Sequence, residues 1–196
     1  IIPRRPGVGR LYGLSALILP GGALFVCDTH MNVDPSAEQI AEMTVLAAEA
    51  VAGFGLIPKV ALLSHSSFGA SRSPSAQKMR AALALLRARA PGLEVDGEMH
   101  ADAALDEAIR RRAVPESSLA GTANLLVMPS LDAANIAFNL LKAAAEALPV
   151  GPMLLGLARP LHVLVPSVTA RGILNLSALA AQSAAALRNE AAPAGR

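Results

Sequence analysis

Short apolar runs alternate with segments of helical periodicity along most of this chain, and this alternation restricts its fold more than any other feature. The run KVALL at residues 59–63 is almost entirely apolar, which is typical of a buried parallel strand. The segment before it repeats apolar residues at helical spacing, with Asp34 as predicted N-cap and Pro35 at the first helical position. The segment after it has the same start signals in Ser73 and Pro74. This order predicts an α/β fold with a mostly parallel sheet.

The rest of the chain continues the alternation. A Pro-Gly-Gly turn at residues 20–22 predicts a pair of strands around it. Further strands are predicted at Leu14–Leu19, Ala23–Asp28, Leu93–Met99, Leu125–Met128, 151–157 and 160–166, and further helices at Ala101–Arg112, after an N-cap at Asp132, and at about Thr169–Arg188. The last residues, 189–196, are predicted to form a flexible tail.

Composition argues against several classes of protein. The formal charge of +2 is too small to favour a nucleic-acid partner. The chain has no uninterrupted apolar stretch long enough for a membrane-spanning helix, so no membrane partner is predicted. Its one cysteine, Cys27, excludes an internal disulfide and favours a reducing compartment, so we expect a cytoplasmic protein.

The segment that follows KVALL is rich in hydroxyl groups. Ser64, Ser66 and Ser67 come directly after the strand, and Gly69 lets a ligand approach the backbone. Ligands of α/β proteins bind beyond the carboxyl ends of strands, and the free N–H groups of a helix N-terminus favour anions. The segment contains neither a nucleotide P-loop nor a GxGxxG motif. Its residues leave two alternatives open: an anion site, or ordinary loop and capping hydrogen bonds.

Two further polar clusters have ordinary structural explanations. Glu94, Asp96 and Glu98 share one face of a predicted strand, which is typical of a solvated edge strand, so no metal site is predicted. Asn135 and Asn139 share one face of a mostly apolar helix, and their amides need partners that backbone carbonyls or a ligand can supply. No catalytic residue is assigned, because spacing alone assembles no nucleophile, base and acid.

Four longer strings give the chain a specific resemblance. In order they are PKVALLSHSSFG, LEVDGEMHADAAL, ANLLVMPSLDAANIAFNLLK and VGPMLLGLARPLHVLVPSVTARGILNLSALA. Together they resemble the phosphotransacetylase family, and most of all the phosphotransacetylase-type domain at the C-terminal end of hybrid bacterial NADP-dependent malic enzymes. The resemblance implies a three-layer α/β/α fold similar to that of isocitrate and isopropylmalate dehydrogenases. It assigns residues 1–188 to this domain and places the family's N-terminal half upstream of Ile1.

Several positions depart from the pattern of active family members. Those enzymes carry a Ser-Arg pair after the strand that PLHVLVP resembles, and an acidic residue a few positions later. The matching residues here are Val165, Pro166 and Gly172. Valine has no hydroxyl, proline has no guanidinium, and glycine has no carboxylate to act as a base. A lysine of the family's serine segment is also replaced, by Phe68. The resemblance therefore implies a domain that holds a ligand without turning it over.

The function implied by the resemblance is regulatory. In hybrid malic enzymes the resembling domain senses acetyl-CoA and mediates oligomerisation, while NADP and a divalent metal serve the malic-enzyme domain, which converts malate to pyruvate. The resemblance thus predicts acetyl-CoA, or a related acyl-CoA or acyl phosphate, as ligand, and a homo-oligomer that is at least a dimer. The predicted ligand-binding residues are Ser64, Ser66, Ser67, Phe68, Gly69, Asn135, Ser167, Thr169 and Arg171. No cofactor or metal is predicted within this chain itself.

Two other functions stay open on the sequence. One is an active phosphate acetyl- or butyryltransferase, which moves an acyl group between CoA and phosphate and takes its missing arginines from the upstream half. The other is a structural dimerisation domain without a ligand. Stabilisation by acetyl-CoA separates the structural domain from the others, because a ligand that binds only the folded state must stabilise it.

Overall fold

The computed structural model describes residues 2–164 and 168–191, in which strands and helices alternate as the sequence predicts. The strands are β1 (Tyr12–Leu19), β2 (Gly22–Cys27), β3 (Lys59–Leu63), β4 (Glu94–Met99), β5 (Leu125–Val127) and β6 (Leu148–Leu155). The helices are α1 (Ala37–Gly53), α2 (Pro74–Arg89), α3 (Ala101–Leu105), α4 (Glu107–Ala113), α5 (Leu131–Ala144) and α6 (Ala170–Ala191). The predicted tail at 189–196 lies largely outside the described residues.

The strands form one sheet in the order β4-β3-β5-β2-β1-β6. The pairs β4–β3, β3–β5 and β5–β2 are parallel, whereas β1 is antiparallel to both of its neighbours. The α/β prediction is confirmed; the sheet, predicted to be mostly parallel, is mixed, with three parallel and two antiparallel pairs. The tight turn between β1 and β2 reverses the chain, and a hairpin of this kind can only pair its strands antiparallel.

Helices cover both faces of this sheet. Side chains alternate across β3, so Val60 and Leu62 belong to the core that α1 and α2 complete, while Ala61 and Leu63 belong to a second core. The second core is completed from α3 and α5, including Phe138. The result is a layer of helices on each side of the sheet.

Hydrogen bonds at the helix starts decide where α1 and α2 begin. Helix α2 begins as predicted, with Ser73 as N-cap and Pro74 in its first turn. Helix α1 begins two residues later than predicted, because Ser36 is its N-cap. The Ser36 hydroxyl accepts from the N–H of Gln39, and the Gln39 side chain accepts from the N–H of Ser36 at 2.9 Å. This capping box satisfies two donors at once, which a cap at Asp34 would not do.

The single helix predicted over Ala101–Arg112 is wrong. The segment forms two short helices, because Asp106 leaves helical geometry and becomes the N-cap of α4. Its carboxylate accepts hydrogen bonds from the N–H groups of Ala108 and Ile109 at 2.8 and 3.1 Å. A side chain that satisfies two donors in this way favours a new helix start over continuation of the old helix.

Two other element predictions were also corrected. Helix α5 is capped by Ser130 rather than Asp132, since the Ser130 hydroxyl accepts from the N–H of Ala133. The strand predicted at 160–166 is reduced, over residues 160–164, to one bridge between His162 and Met153; residues 165 and 166 lie outside the described residues. Within the described ranges, no helix is long and apolar enough to cross a membrane.

Candidate functional site

The serine loop, defined as residues 64–73, folds around a carboxylate of the chain itself. Glu98 Oε1 accepts hydrogen bonds from the Ser66 hydroxyl at 2.7 Å, the Gly69 N–H at 3.0 Å and Arg80 Nη1 at 2.8 Å. Glu98 is fully buried. Ser66 and Gly69, two of the residues predicted to bind an external ligand, therefore bind the Glu98 carboxylate of the protein itself.

Further hydrogen bonds fix the shape of the serine loop. The Ser71 N–H donates to the Ser66 hydroxyl at 3.0 Å, and Arg80 Nη2 donates to the Ser71 carbonyl at 2.9 Å. The Phe68 N–H donates to the Glu98 carbonyl at 2.6 Å. Phe68 adopts a positive φ of 48° and packs its ring against the core beneath the loop. The loop is thus tied to β4 and α2, and Phe68 takes part in that packing.

The solvated edge strand predicted for β4 is wrong for two of its three acidic residues. Asp96 is 3% exposed and Glu98 is 0% exposed. The Asp96 carboxylate accepts from the Ser117 hydroxyl at 2.7 Å and the Ser118 N–H at 2.9 Å. Two loops from other parts of the chain thus cover these carboxylates and give them the hydrogen bonds that burial requires.

Replacing Glu98 with glutamine should make the protein less sensitive to acid. Burial by itself raises the pKa of Glu98, but the hydrogen bonds from Ser66 and Gly69 outweigh it, so the pKa lies below its usual value. This carboxylate therefore stabilises the fold above about pH 4.5, and the contribution is lost as the pH falls through the lowered pKa. We expect Glu98→Gln to cost about 1–3 kcal/mol at neutral pH, and urea unfolding curves at several pH values to show a shallower loss below pH 4.5.

The control for this prediction is Glu116→Gln, since Glu116 is exposed. It should leave the unfolding free energy within about 0.5 kcal/mol of the original. Equal acid sensitivity of the Glu98→Gln variant and the original protein would contradict the role assigned to Glu98.

A cavity of about 360 Å³ lies apart from the serine loop, between α5, β6 and the start of α6. This volume is at the lower end of the range for small-molecule sites. It is lined by Ser15, His30, Asn135, Phe138, Asn139, Lys142, Pro149, Val150, Gly151, Pro152, Val168, Thr169, Gly172 and Leu176. The lining combines apolar side chains with hydroxyl, amide, imidazole and ammonium groups, which suits an organic ligand with a few polar atoms.

A chain of hydrogen bonds runs along the cavity side of α5. Lys142 Nζ donates to Asn139 Oδ1 at 2.9 Å, and Asn139 Nδ2 donates to Asn135 Oδ1 at 3.2 Å. Asn135 Nδ2 then donates to the Thr29 carbonyl at 3.2 Å. Of the two kinds of partner left open for these amides, backbone carbonyls serve both, since Asn139 Nδ2 also donates to the Asn135 carbonyl at 3.0 Å. These hydrogen bonds connect α5 to the segment after β2. At their other end, the ammonium group of Lys142 lies at the cavity.

The cavity lining also includes a histidine, His30. His30 Nδ1 lies 2.7 Å from Thr29 Oγ1, and the His30 N–H donates to Asp28 Oδ1 at 3.0 Å. Burial lowers the pKa of His30, and the nearby Asp28 opposes this shift without cancelling it. The imidazole is therefore neutral at physiological pH.

The structure brings together only some of the residues predicted to bind a ligand. Asn135 and Thr169 line the cavity. The serine-loop residues do not line it, and neither does Arg171, which is exposed in the first turn of α6. Ser167 lies outside the described residues. The predicted site is thus divided between the serine loop and the cavity.

The polar cavity residues that the sequence prediction left out include Ser15 and Lys142. Ser15 is the one hydroxyl in the otherwise apolar run of β1 after Tyr12, and a buried hydroxyl needs a partner. That exception to the apolar pattern is a signal that could have identified it. Lys142 gives no such signal, because a lysine near a helix C-terminus is common for electrostatic reasons alone.

Gly172, which the resemblance predicts to stand at the acidic position of active enzymes, lies in the cavity lining. A Cβ atom at this position would lie 2.9 Å from Val168 Cγ2 and 3.4 Å from Thr169 Oγ1. A side chain would therefore require its neighbours to shift.

The sequence profile of the phosphate acetyl/butaryl transferase family matches residues 1–181. The chain belongs to this family. Among curated proteins it is 54% identical over 177 residues to an NADP-dependent malic enzyme of Escherichia coli, covering 90% of this chain and 23% of that enzyme. It is 39% identical over 188 residues to a phosphate acetyltransferase of Paracoccus denitrificans, covering 92% of this chain and 59% of that enzyme. The chain thus spans about a quarter of the malic enzyme and somewhat more than half of the acetyltransferase.

Solved structures show the same relationship. The EutD phosphotransacetylase from Staphylococcus aureus superimposes with a TM-score of 0.89 at 33% identity, over 94% of this chain and 57% of that one. A phosphotransacetylase from Streptococcus pyogenes gives a TM-score of 0.90 at 31% identity, over 95% and 57%. The fold and the family predicted from the four sequence strings are both those of phosphotransacetylases.

Proposed function

We propose that this chain is a regulatory, catalytically inactive phosphotransacetylase-like domain of an NADP-dependent malic enzyme and that it binds acetyl-CoA. The observation that carries the proposal is the cavity at Gly172. None of its described lining residues carries a carboxylate, and a side chain at Gly172 would require the Val168 side chain to shift. A cavity without an acid to assist a thiol is suited to holding acetyl-CoA rather than to transferring its acyl group.

The lining of the cavity supports a CoA-type ligand. Apolar side chains such as Phe138 and Leu176 can pack against an aliphatic arm, while Lys142 supplies positive charge at the rim of α5. At about 360 Å³ the cavity accommodates only a part of a ligand as large as acetyl-CoA. The remainder would extend beyond the cavity.

The similarity to malic enzymes supports the larger context of the proposal. NADP, the divalent metal and the conversion of malate to pyruvate belong to the rest of such an enzyme, which we place in the cytoplasm. We place the complete domain among folds like those of isocitrate and isopropylmalate dehydrogenases. Self-association, at least to a dimer, is supported by exposed apolar side chains: Ile136 is 59%, Leu140 64% and Leu174 68% exposed.

The second candidate function is an active phosphate acetyl- or butyryltransferase. Its support is the 39% identity to a phosphate acetyltransferase over 92% of this chain. In that case the arginines and the acid for catalysis would come from outside the described residues, and acetyl-CoA would be consumed in the presence of phosphate.

Acetyl-CoA should raise the melting temperature of the protein without being turned over. At about one hundred times its dissociation constant, a ligand of the folded state stabilises it by about 2.7 kcal/mol, which for a domain of this size corresponds to several degrees. The measurement is a thermal-shift series with acetyl-CoA, free CoA and acetate, on this chain and on the whole polypeptide of which it is part. Malate oxidation by the whole polypeptide should fall as acetyl-CoA is added.

Two outcomes would replace the proposal. Formation of acetyl phosphate from acetyl-CoA and phosphate at rates typical of enzymes, above about one per second, would establish the transferase instead. Absence of any thermal shift and of any effect on malate oxidation would favour a structural dimerisation domain without a ligand.

A further inference from the structure

Three side chains form a hydrogen-bonded chain whose two ends meet the cavity. Ser15 Oγ lies 2.7 Å from Thr29 Oγ1, which lies 2.7 Å from His30 Nδ1. Ser15 and His30 both line the cavity, whereas Thr29 is fully buried and does not line it. Thr29 therefore connects two side chains that a ligand in the cavity can contact, although Thr29 itself does not contact that ligand.

The protons of this chain have two consistent arrangements. In the first, Ser15 donates to Thr29 and Thr29 donates to His30 Nδ1, so His30 offers its Nε2–H as a donor and Ser15 offers its oxygen as an acceptor. In the second, His30 Nδ1–H donates to Thr29 and Thr29 donates to Ser15, so Ser15 offers its O–H and His30 Nε2 accepts. Because each hydroxyl has one proton and two lone pairs, the two ends always present one donor and one acceptor.

Both arrangements require a neutral imidazole. A protonated ring donates from both nitrogens and would fix the chain in one direction. The lowered pKa of His30 keeps the ring neutral. Asp28 holds the backbone of the same segment, since its Oδ1 accepts from the N–H groups of His30 and Met31 at 3.0 and 3.2 Å. The direction of donation along the Ser15–Thr29–His30 hydrogen bonds can thus reverse while the heavy atoms stay in place.

We propose that the Ser15–Thr29–His30 chain recognises a secondary amide of the bound ligand. This inference rests on the proposed function and specifies which part of acetyl-CoA enters the cavity: the pantetheine arm, which carries secondary amides. A secondary amide offers one N–H donor and one carbonyl acceptor, which matches the one acceptor and one donor that the chain presents in either arrangement. Thr29 is then a positioning residue, because its hydroxyl couples the tautomer of His30 to the orientation of the Ser15 hydroxyl.

Replacing Thr29 with valine tests this role, since valine keeps the shape of threonine and removes the hydroxyl. Isothermal titration with acetyl-CoA should show a loss of affinity of about tenfold, the usual effect of one or two unmade hydrogen bonds. The nucleotide portion of CoA, which lacks the pantetheine arm, should bind with unchanged affinity. Thr29→Ser, which restores the hydroxyl, should recover affinity for acetyl-CoA.

Thr44→Val is the matched control. Thr44 is also fully buried, but its hydroxyl donates to the Ile40 carbonyl within α1 at 2.6 Å, away from the cavity. It should lower stability to a similar degree and leave the affinity for acetyl-CoA unchanged. A second readout is nitrogen NMR of the His30 ring, whose tautomer signature should change on addition of pantetheine to the original protein but not to Thr29→Val.

The outcomes separate this inference from the proposed function. If the original protein binds acetyl-CoA and Thr29→Val binds it equally well, the amide assignment is overturned and the proposed function stands. An equal loss for the nucleotide portion of CoA, or for Thr44→Val, also overturns the assignment, because the effect would then be a general one on the fold. Absence of acetyl-CoA binding to the original protein overturns both.

Discussion

Arg110→Ala is expected to lower the free energy of unfolding by about 4 kcal/mol. Arg110 is fully buried, and its guanidinium donates to the carbonyls of Ala103, Leu119 and Gly121. Hydrogen bonds from a charged donor are worth about 1.5–3 kcal/mol each, and alanine would leave all three acceptors, two of them buried, without this partner. Urea unfolding followed by circular dichroism measures the change. Because the three carbonyls belong to α3 and the segment before β5, amide exchange should accelerate there as well.

The neighbouring Arg112 provides the comparison. It is exposed, and its side chain makes one long hydrogen bond of 3.4 Å to the Ala108 carbonyl. Arg112→Ala should cost less than about 0.5 kcal/mol. Similar losses for the two variants would show that Arg110 does not hold these segments together.

Gly97→Ala is expected to cost about 3–5 kcal/mol, because the backbone of β4 at this point has space only for glycine. Its φ is +146°, and a Cβ atom would lie 2.6 Å from the Leu62 carbonyl oxygen and 2.9 Å from Leu62 Cβ. Leu62 lies opposite on the paired strand β3, so either the pairing or the strand must shift. Backbone strain at a positive φ and a clash with a neighbouring strand both produce large losses of folding stability.

Gly92→Ala tests whether the loss of stability is specific to position 97 or follows from replacing any glycine with alanine. Nothing lies within 4 Å of a Cβ added at Gly92. This variant should be as stable as the original protein or slightly more so, because alanine restricts the unfolded chain. The Gly97 variant should also lose protection of the serine loop in hydrogen exchange, since the next residue is Glu98. An intact serine loop in that variant would contradict the link between the strand and the loop.

The elements of this fold were largely predictable because their signals are local. The apolar run of β3 needs no distant partner to be recognised, and the Ser73-Pro74 start of α2 is a matter of adjacent residues. The wrong predictions of helix starts were local competitions between neighbouring caps. Asp34 and Ser36 both suit an N-cap, and the outcome depends on whether Gln39 completes a capping box.

The candidate site was less predictable because it depends on which distant segments meet. The serine loop favoured an anion, but its sequence could not show that Glu98, some thirty positions later, is the carboxylate held by Ser66 and Gly69. Likewise the alternation in β4 predicted solvent contact for Asp96 and Glu98. Alternation shows which residues share a face and says nothing about whether another loop covers that face.

The sequence by itself determined the family and the alternation of strands and helices, because both follow from residues that are near one another in the chain. The resemblance also predicts that Val165, Pro166 and Gly172 stand where active members of the family carry reactive groups. Only the tertiary structure decided that Ser15 and His30 share one cavity through Thr29. The packing of whole layers against one another decides which partner a buried polar group meets. The spacing of residues along the chain does not show which layers pack together.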